Sequence, residues 1–383
     1  TPTGPYAIGT TTYHWADASR PELFTTAPHD HRELMAQLWY PAHKEPGGHA
    51  APYLPNAPTT TRALARLMHL PPSTFAHLRY VTTHAVEDAP VAQAEQSYPV
   101  LIYLTGLGGF RDVAMCQIQE LASHGYIVVG LDQPGAAGSV RFPDGREIRM
   151  PAVERIQALI DQSLDPTENP PSLGGRPLPD GILPYLAQDV SFTIDQLANL
   201  DADPTSSPLA GHVDLAHVGA FGFSLGAMVA AEAAHLDPRV KAVLMIDAAM
   251  PANVMKSGLQ QPSMWMTRPA STMRLERSRS GGWTERDIAQ TLNTMREVFE
   301  RHRAGNAYFL QMPGMFHINY TDAPYYSPIT RQLGLTGPVN GRHMHDVMNA
   351  YTLAFFDAYL KSRSAPLLKR PDKRHPEVEF EGR

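Results

Sequence analysis

One cysteine in 383 residues is the first constraint on this chain. A single thiol, Cys116, excludes an intrachain disulfide and any metal cluster built from several cysteines. There is no run of about eighteen apolar residues, which a membrane-spanning helix would need. Neither sign of charge dominates: 32 Lys and Arg stand against 38 Asp and Glu, a net −6 with no basic excess to hold a nucleic acid. No internal repeat is visible, and no metal or organic cofactor motif stands out. What the chain does have is 43% apolar residues, enough for a large core, and abundant loop formers, 35 Pro and 28 Gly. The Pro/Thr-rich opening from Thr1, without a methionine, reads as a mature exported protein, so an extracellular location is the expectation.

The hydropathy pattern is β-rich at the start and then alternates strand with helix. Thr10 to Trp15 and Arg32 to Tyr40 read as an antiparallel edge, Pro41 to Pro58 as a loop and Thr60 to Leu70 as a short helix. Buried strands are expected at Val100 to Leu104, Tyr126 to Leu131, Val240 to Ile246, Ser263 to Met266 and, as the last, Tyr308 to Met312. Helices are expected around Val113 to His124, Leu186 to Leu200 and Asp346 to Leu360. The Pro/Gly-rich insertion 133–184 carries one more, near Val153 to Ser163. Such alternation predicts an α/β fold, one domain over 1–365 with a mostly parallel sheet covered on both faces. The charged tail 366–383 is expected to pack poorly.

Gly222-Phe223-Ser224-Leu225-Gly226 lies between the apolar run His217 to Phe221 and the helical Ala227 to Ala234. Strand, G-x-S-x-G and helix in that order make a nucleophile elbow, the device of α/β-hydrolases. Its serine needs a base, and the base an orienting carboxylate, in the chain order Ser, acid, His. Asp247 ends the strand Val243 to Ile246, whereas the next strand, through Thr267 and Arg268, offers no acid before Glu276. Among 17 histidines, His317 stands in the loop just after the last expected strand. His343 and His345 read as opening residues of a helix, and His235, His302 and His375 as surface residues. The turn Thr105-Gly106-Leu107-Gly108-Gly109-Phe110 follows the first central strand, so the N–H of Leu107 can join that of Leu225 in an oxyanion hole. Cys116 falls in a helix and reads as a buried, inert thiol.

Gly106 to Arg111, Leu121 to Val128, the Ser224–Asp247 interval and Gly314-x-x-His317-x-Asn319-Tyr320-x-Asp322 together resemble the plasma-type platelet-activating-factor acetylhydrolases. The likeness runs from about Pro99 to Leu360, with Arg32 to Pro41 similar to bacterial members. It implies a calcium-independent serine esterase: nucleophile Ser224, acid Asp247, base His317, oxyanion donors Leu107 and Leu225, and no cofactor. The family usually has His where this chain has Thr105 and Phe223.

The resulting expectation is a secreted esterase or lipase that cleaves short or oxidised acyl chains from lipids through an acyl-enzyme. Its partner is a small-molecule or lipid ester, with transient contact to a lipid surface. A polyester hydrolase or broad carboxylesterase is the second reading, and a non-catalytic binding protein on the same fold the third. Phe110, Phe223, Met250 and Trp265 are the candidates for an apolar acyl pocket, and 250–303 for a cap over it. Arg268, Arg274, Arg277 and Arg279 could meet anionic groups of a substrate or simply face solvent.

Overall fold

Side chains along the strand Tyr98–Leu104 divide between two cores. Val100, Ile102 and Leu104 enter one, and Leu101 and Tyr103 the other. That period of two, with both sides apolar, marks a strand buried under helices on each face of its sheet. The structure, a computed structural model, describes residues 1–27, 29–43, 48–205, 207–302, 305–327 and 330–383. Part of the expected loop Pro41 to Pro58 (44–47) and the end of the stretch 250–303 therefore lie outside the described residues.

The chain begins with the antiparallel pair β1 (Ala7–Pro21) and β2 (His31–Ala42). Next come β3 (Ala50–Pro52), α1 (Ala57–Leu67) and β4 (Thr82–Glu87), the last parallel to β1. The central layer starts with β5 (Tyr98–Leu104), α2 (Met115–Ser123) and β6 (Ile127–Asp132). Two small hairpins flank α3 (Val153–Leu164) in the insertion: β7 (Ser139–Arg141) with β8 (Glu147–Arg149), and β9 (Ser172–Leu173) with β10 (Arg176–Pro177). There follow α4 (Leu183–Ala202), β11 (Val213–Phe223), α5 (Leu225–Leu236), β12 (Val240–Ile246), α6 (Ala252–Ser257) and β13 (Ser263–Thr267). The remainder is α7 (Ala270–Ser280), α8 (Glu285–Glu300), β14 (Ala307–Gln311), α9 (Ala323–Tyr326), α10 (Gly341–Leu360) and β15 (Glu379–Gly382).

Eleven of these strands form one sheet in the order β15-β14-β13-β12-β11-β5-β6-β2-β1-β4-β3. From β6 through β14 every neighbouring pair is parallel, and antiparallel pairing is confined to the two flanks. The fold is therefore the expected α/β one. Chain order reverses at β5: β6 lies on one side of it and β11 on the other. At such a switch point the connections leave in opposite directions and open a crevice beyond the carboxyl ends of the strands. The loops after β5 and β11 meet there.

Arg32 ties the N-terminal flank to this centre. Fully buried on β2, it pairs with Asp189 of α4 at 2.6 Å and with Glu22 at 3.1 Å. Removing one member of such a set strands a buried charge and costs roughly 3–5 kcal/mol.

Three expectations need correction. Tyr308 to Met312 is not the last strand, and the charged tail is not loosely packed. β15 pairs antiparallel with β14, while Leu368 and Val378 are buried. The outer edge of β14 would otherwise present unpaired backbone groups, and the tail covers them. His302 is not a surface residue either: it is 5% exposed, and its ring bonds the Gln261 carbonyl at 2.9 Å beside Trp265. Among the described residues no helix is long and apolar enough to cross a membrane.

Candidate active site

Ser224 occupies the turn between β11 and α5 with φ 55° and ψ −124°, a left-handed conformation that costs a non-glycine residue about 1–3 kcal/mol. The neighbouring glycines make the turn possible. A Cβ on Gly222 would lie 2.2 Å from the Gly226 oxygen, and one on Gly226 would lie 1.9 Å from the Leu104 oxygen. Strand and helix can pass this closely only without side chains at both positions. The Ser224 N–H donates to the Ile246 carbonyl at 2.8 Å, so the turn is pinned to the end of β12.

Asp247 sits at that end, 1% exposed and again with positive φ, 53°. Its Oδ1 accepts the Thr267 hydroxyl at 2.7 Å, and its Oδ2 accepts Nδ1–H of His317 at 2.6 Å. With Nδ1 donating, Nε2 of His317 is the acceptor for the Ser224 hydroxyl at 3.0 Å. The three residues chosen from sequence thus converge from three strand ends. His317 opens a helical turn, His317–Tyr320, after β14. Its rivals lie elsewhere: His343 pairs with Glu377 in the open, and His345 is buried against the Asn319 carbonyl. Cys116 is half-buried on α2, where burial and the Asp322 charge push its thiol pKa up and away from nucleophile chemistry.

Arg268 does not face solvent, one of the two readings given to it. Its guanidinium is fully buried, with Nε 3.0 Å from Asp247 Oδ2 and an ion pair to Glu276. Glu276 in turn accepts the backbone N–H of His317 at 3.0 Å. Trp283 lies over the guanidinium at 4.4 Å and meets the His317 ring edge-on at 5.0 Å, while Phe223 touches the ring at 4.5 Å. Arg268, Glu276 and Trp283 were the residues sequence reasoning missed. The one available signal was an arginine directly after a buried strand, at the level of the acid. Arg274 and Arg277, by contrast, share Glu285 at the surface.

Burial acts first on both titrating groups. It raises the Asp247 carboxyl, but the Arg268 charge and hydrogen bonds from His317 and Thr267 outweigh it and hold the group below the usual carboxylate range. It lowers His317 below 6.5 despite Asp247, and the Arg268 charge adds to the lowering. A neutral imidazole beside an ionised carboxylate is the pair a general base requires.

Leu225 is the first residue of α5, where an N–H has no intrahelical acceptor. In the loop after β5, Gly108 N–H bonds the Ala136 carbonyl at 2.8 Å and Gly109 N–H the Gly106 carbonyl at 2.9 Å. Among the described residues no acceptor meets the Leu107 N–H. Beside these turns opens a chamber of about 330 Å³ that reaches Ser224 and His317. Leu64, Leu67 and Met68 of the first helical segment, Phe75, Ile318 and Leu335 give it an apolar wall. Of the pocket residues expected from sequence, only Phe223 lines it. Met250 and Trp265 belong to the core on the opposite face of the sheet, where the indole N–H meets the Met250 sulfur at 3.3 Å. Alternation along β13 sends Trp265 there and Met264 and Met266 to the chamber's face. Phe110 is 3% exposed, tucked beneath its loop into the core.

Residues 2–142 match the model of the family "Platelet-activating factor acetylhydrolase, isoform II", a stretch that ends before Ser224. A platelet-activating factor acetylhydrolase from Cavia porcellus is 22% identical over 282 residues, 71% of this chain. The aligned part spans 60% of that relative's length. The solved ferulic acid esterase from Streptomyces cinnamoneus is similar over 99% of this chain and 98% of its own, with 28% identity and a TM-score of 0.72. The chain has the α/β-hydrolase fold and is similar to the platelet-activating factor acetylhydrolases and to a ferulic acid esterase.

Proposed function

We propose that Ser224, His317 and Asp247 carry out two-step acyl transfer to water. The observation that carries this reading is the continuous relay from Ser224 Oγ through His317, at 3.0 Å and 2.6 Å, to Asp247. His317 Nε2 takes the Ser224 proton as Oγ bonds the ester carbonyl carbon. The oxyanion that forms is met by the N–H groups of Leu107 and Leu225, each worth roughly 2.7–4 kcal/mol in such sites. Collapse breaks the bond to the leaving alkoxide, which receives the proton from His317. Water then attacks the acyl-enzyme by the same route, giving the carboxylic acid and restoring Ser224. Asp247 keeps Nδ1 protonated and balances the imidazolium in each step.

The substrate in this reading is a lipid ester with a short or oxidised acyl chain. A chamber of about 330 Å³ is near the lower limit for ligand pockets and its wall is apolar, which suits a compact acyl group. The second reading, a broader carboxylesterase, draws support from the ferulic acid esterase neighbour and from Phe75, Phe223 and Tyr326 around the same chamber. Likeness to the plasma-type enzymes supports an extracellular setting, which activity in culture supernatant rather than cells would test.

Hydrolysis of p-nitrophenyl esters from acetate to dodecanoate, with methyl ferulate in parallel and EDTA present, separates the two readings. Turnover confined to short chains and lost in Ser224→Ala supports the first. Comparable turnover of the aromatic ester replaces it with the second. Activity retained in Ser224→Ala overturns the mechanism.

A further inference from the structure

A second group of reactive side chains lies behind the loop that carries His317. Cys116 of α2, Asp322 just before α9 and His345 of α10 bring their ligating atoms within 4.8 Å of one another. His345 is 2% exposed. Its Nε2 bonds the Asn319 carbonyl at 2.7 Å, and since a carbonyl only accepts, Nε2 bears the proton. Nδ1 is therefore left with its lone pair, buried and without a partner. A buried nitrogen in that state is costly unless something occupies it. An imidazole oriented through one nitrogen by a backbone carbonyl, with the other nitrogen open, is the arrangement of a metal-ligating histidine.

The two companions fit that role. Asp322 is held by the backbone N–H groups of Met115 at 2.7 Å and Cys116 at 3.1 Å and by the Tyr53 hydroxyl at 3.0 Å. The Cys116 thiol hydrogen-bonds the same carboxylate, taking the last of its about four acceptor positions, and loss of the thiol proton frees that position for a metal ion. Cys116 and His345 both line a cleft of about 710 Å³ between the N-terminal residues, α2 and α10, which gives an ion a route in. One cysteine excludes a multi-thiolate cluster, but not a mixed set of sulfur, nitrogen and oxygen.

We propose that Cys116, Asp322 and His345 bind one thiophilic divalent transition-metal ion, with Zn²⁺ the fitting member and water completing the coordination. Thiolate and imidazole favour such ions over Ca²⁺ or Mg²⁺. On binding, the Cys116 S–H bond breaks, sulfur bonds the metal and the proton passes to solvent. The site adjoins the catalytic loop: His345 grips Asn319 two residues after His317, and Asp322 fastens the end of the same loop to α2.

Co²⁺ added to the full chain tests this. Binding of one ion with a thiolate-to-cobalt charge-transfer band is expected, with the band lost in Cys116→Ser. The sulfur-free group His343, His375 and Glu377, whose ligating atoms also lie within 4.8 Å, supplies the control, so the band should survive His375→Ala. Because Cys116 is the only thiol, its rate of reaction with dithionitrobenzoate should also fall when Zn²⁺ is added to wild type. That measurement decides the matter without any variant. Co²⁺ binding without the thiolate band, no binding, or a thiol rate unchanged by Zn²⁺ would overturn the proposal.

Discussion

The relay and the acyl chamber share Ser224 but are built on opposite plans. Ser224 and Asp247 sit directly at strand ends, held by backbone hydrogen bonds and left-handed backbone, and His317 opens the helical turn of the loop after β14, its N–H held by Glu276. Buried charge surrounds it: Asp247, Arg268 and Glu276 lie together with little water to screen them. The chamber, by contrast, is walled by aliphatic and aromatic side chains from α1 and the segments around α9, which lie outside the run of alternating strands and helices. A relay needs angular precision, which strand ends supply. A chamber needs only volume and apolarity, which helices and loops can vary without disturbing the chemistry.

That contrast can be broken most sharply at Ser224. Replacing it with alanine should lower kcat by a factor on the order of 10⁶ with little change in KM, measured on p-nitrophenyl acetate. Asp247→Asn keeps the shape but frees the imidazole to take the wrong tautomer, and kcat should drop about 10⁴-fold. Arg268→Gln tests whether the buried cation belongs to the relay. In wild type, activity should decline as pH falls through the lowered His317 pKa, below 6.5. Without the Arg268 charge both Asp247 and His317 titrate higher, so the acid limb of the pH–rate profile should move to higher pH. The uncompensated carboxylates should also cost about 3–5 kcal/mol in denaturant unfolding. An unmoved acid limb would reduce Arg268 to a packing residue. At the chamber, Leu64→Trp should cut kcat/KM for octanoate esters about tenfold or more and spare acetate. The smallest effect is expected at Trp283→Ala, which removes one partly exposed ring contact and one cation–π contact, each worth on the order of 0.5 kcal/mol, seen as a modest loss of kcat.

How much of this was legible in the chain follows the same division. The elbow could be read because strand, glycine, serine, glycine and helix are consecutive, Asp247 because it follows its strand directly, and His317 because it lies in the loop after the last expected strand. The chamber could not, because its wall joins residues near 64–75 with others near 318–335 across the edge of the sheet. Trp265 and Met250 were credible on composition and wrong on orientation: one step along a strand exchanges its two faces. The tail reads as charged and frayed, yet the open edge of β14 recruits Glu379–Gly382 as a strand.

Sequence by itself therefore determined the α/β alternation, the turn that strains Ser224 and the candidates for acid and base, since each depends on neighbours within a few residues. Only the tertiary structure decided that Arg268 is buried against Asp247, that α1 closes the acyl chamber and that Cys116, Asp322 and His345 meet. Those outcomes depend on which distant segments share a desolvated space, where a charge must find its partner and an apolar side chain its wall.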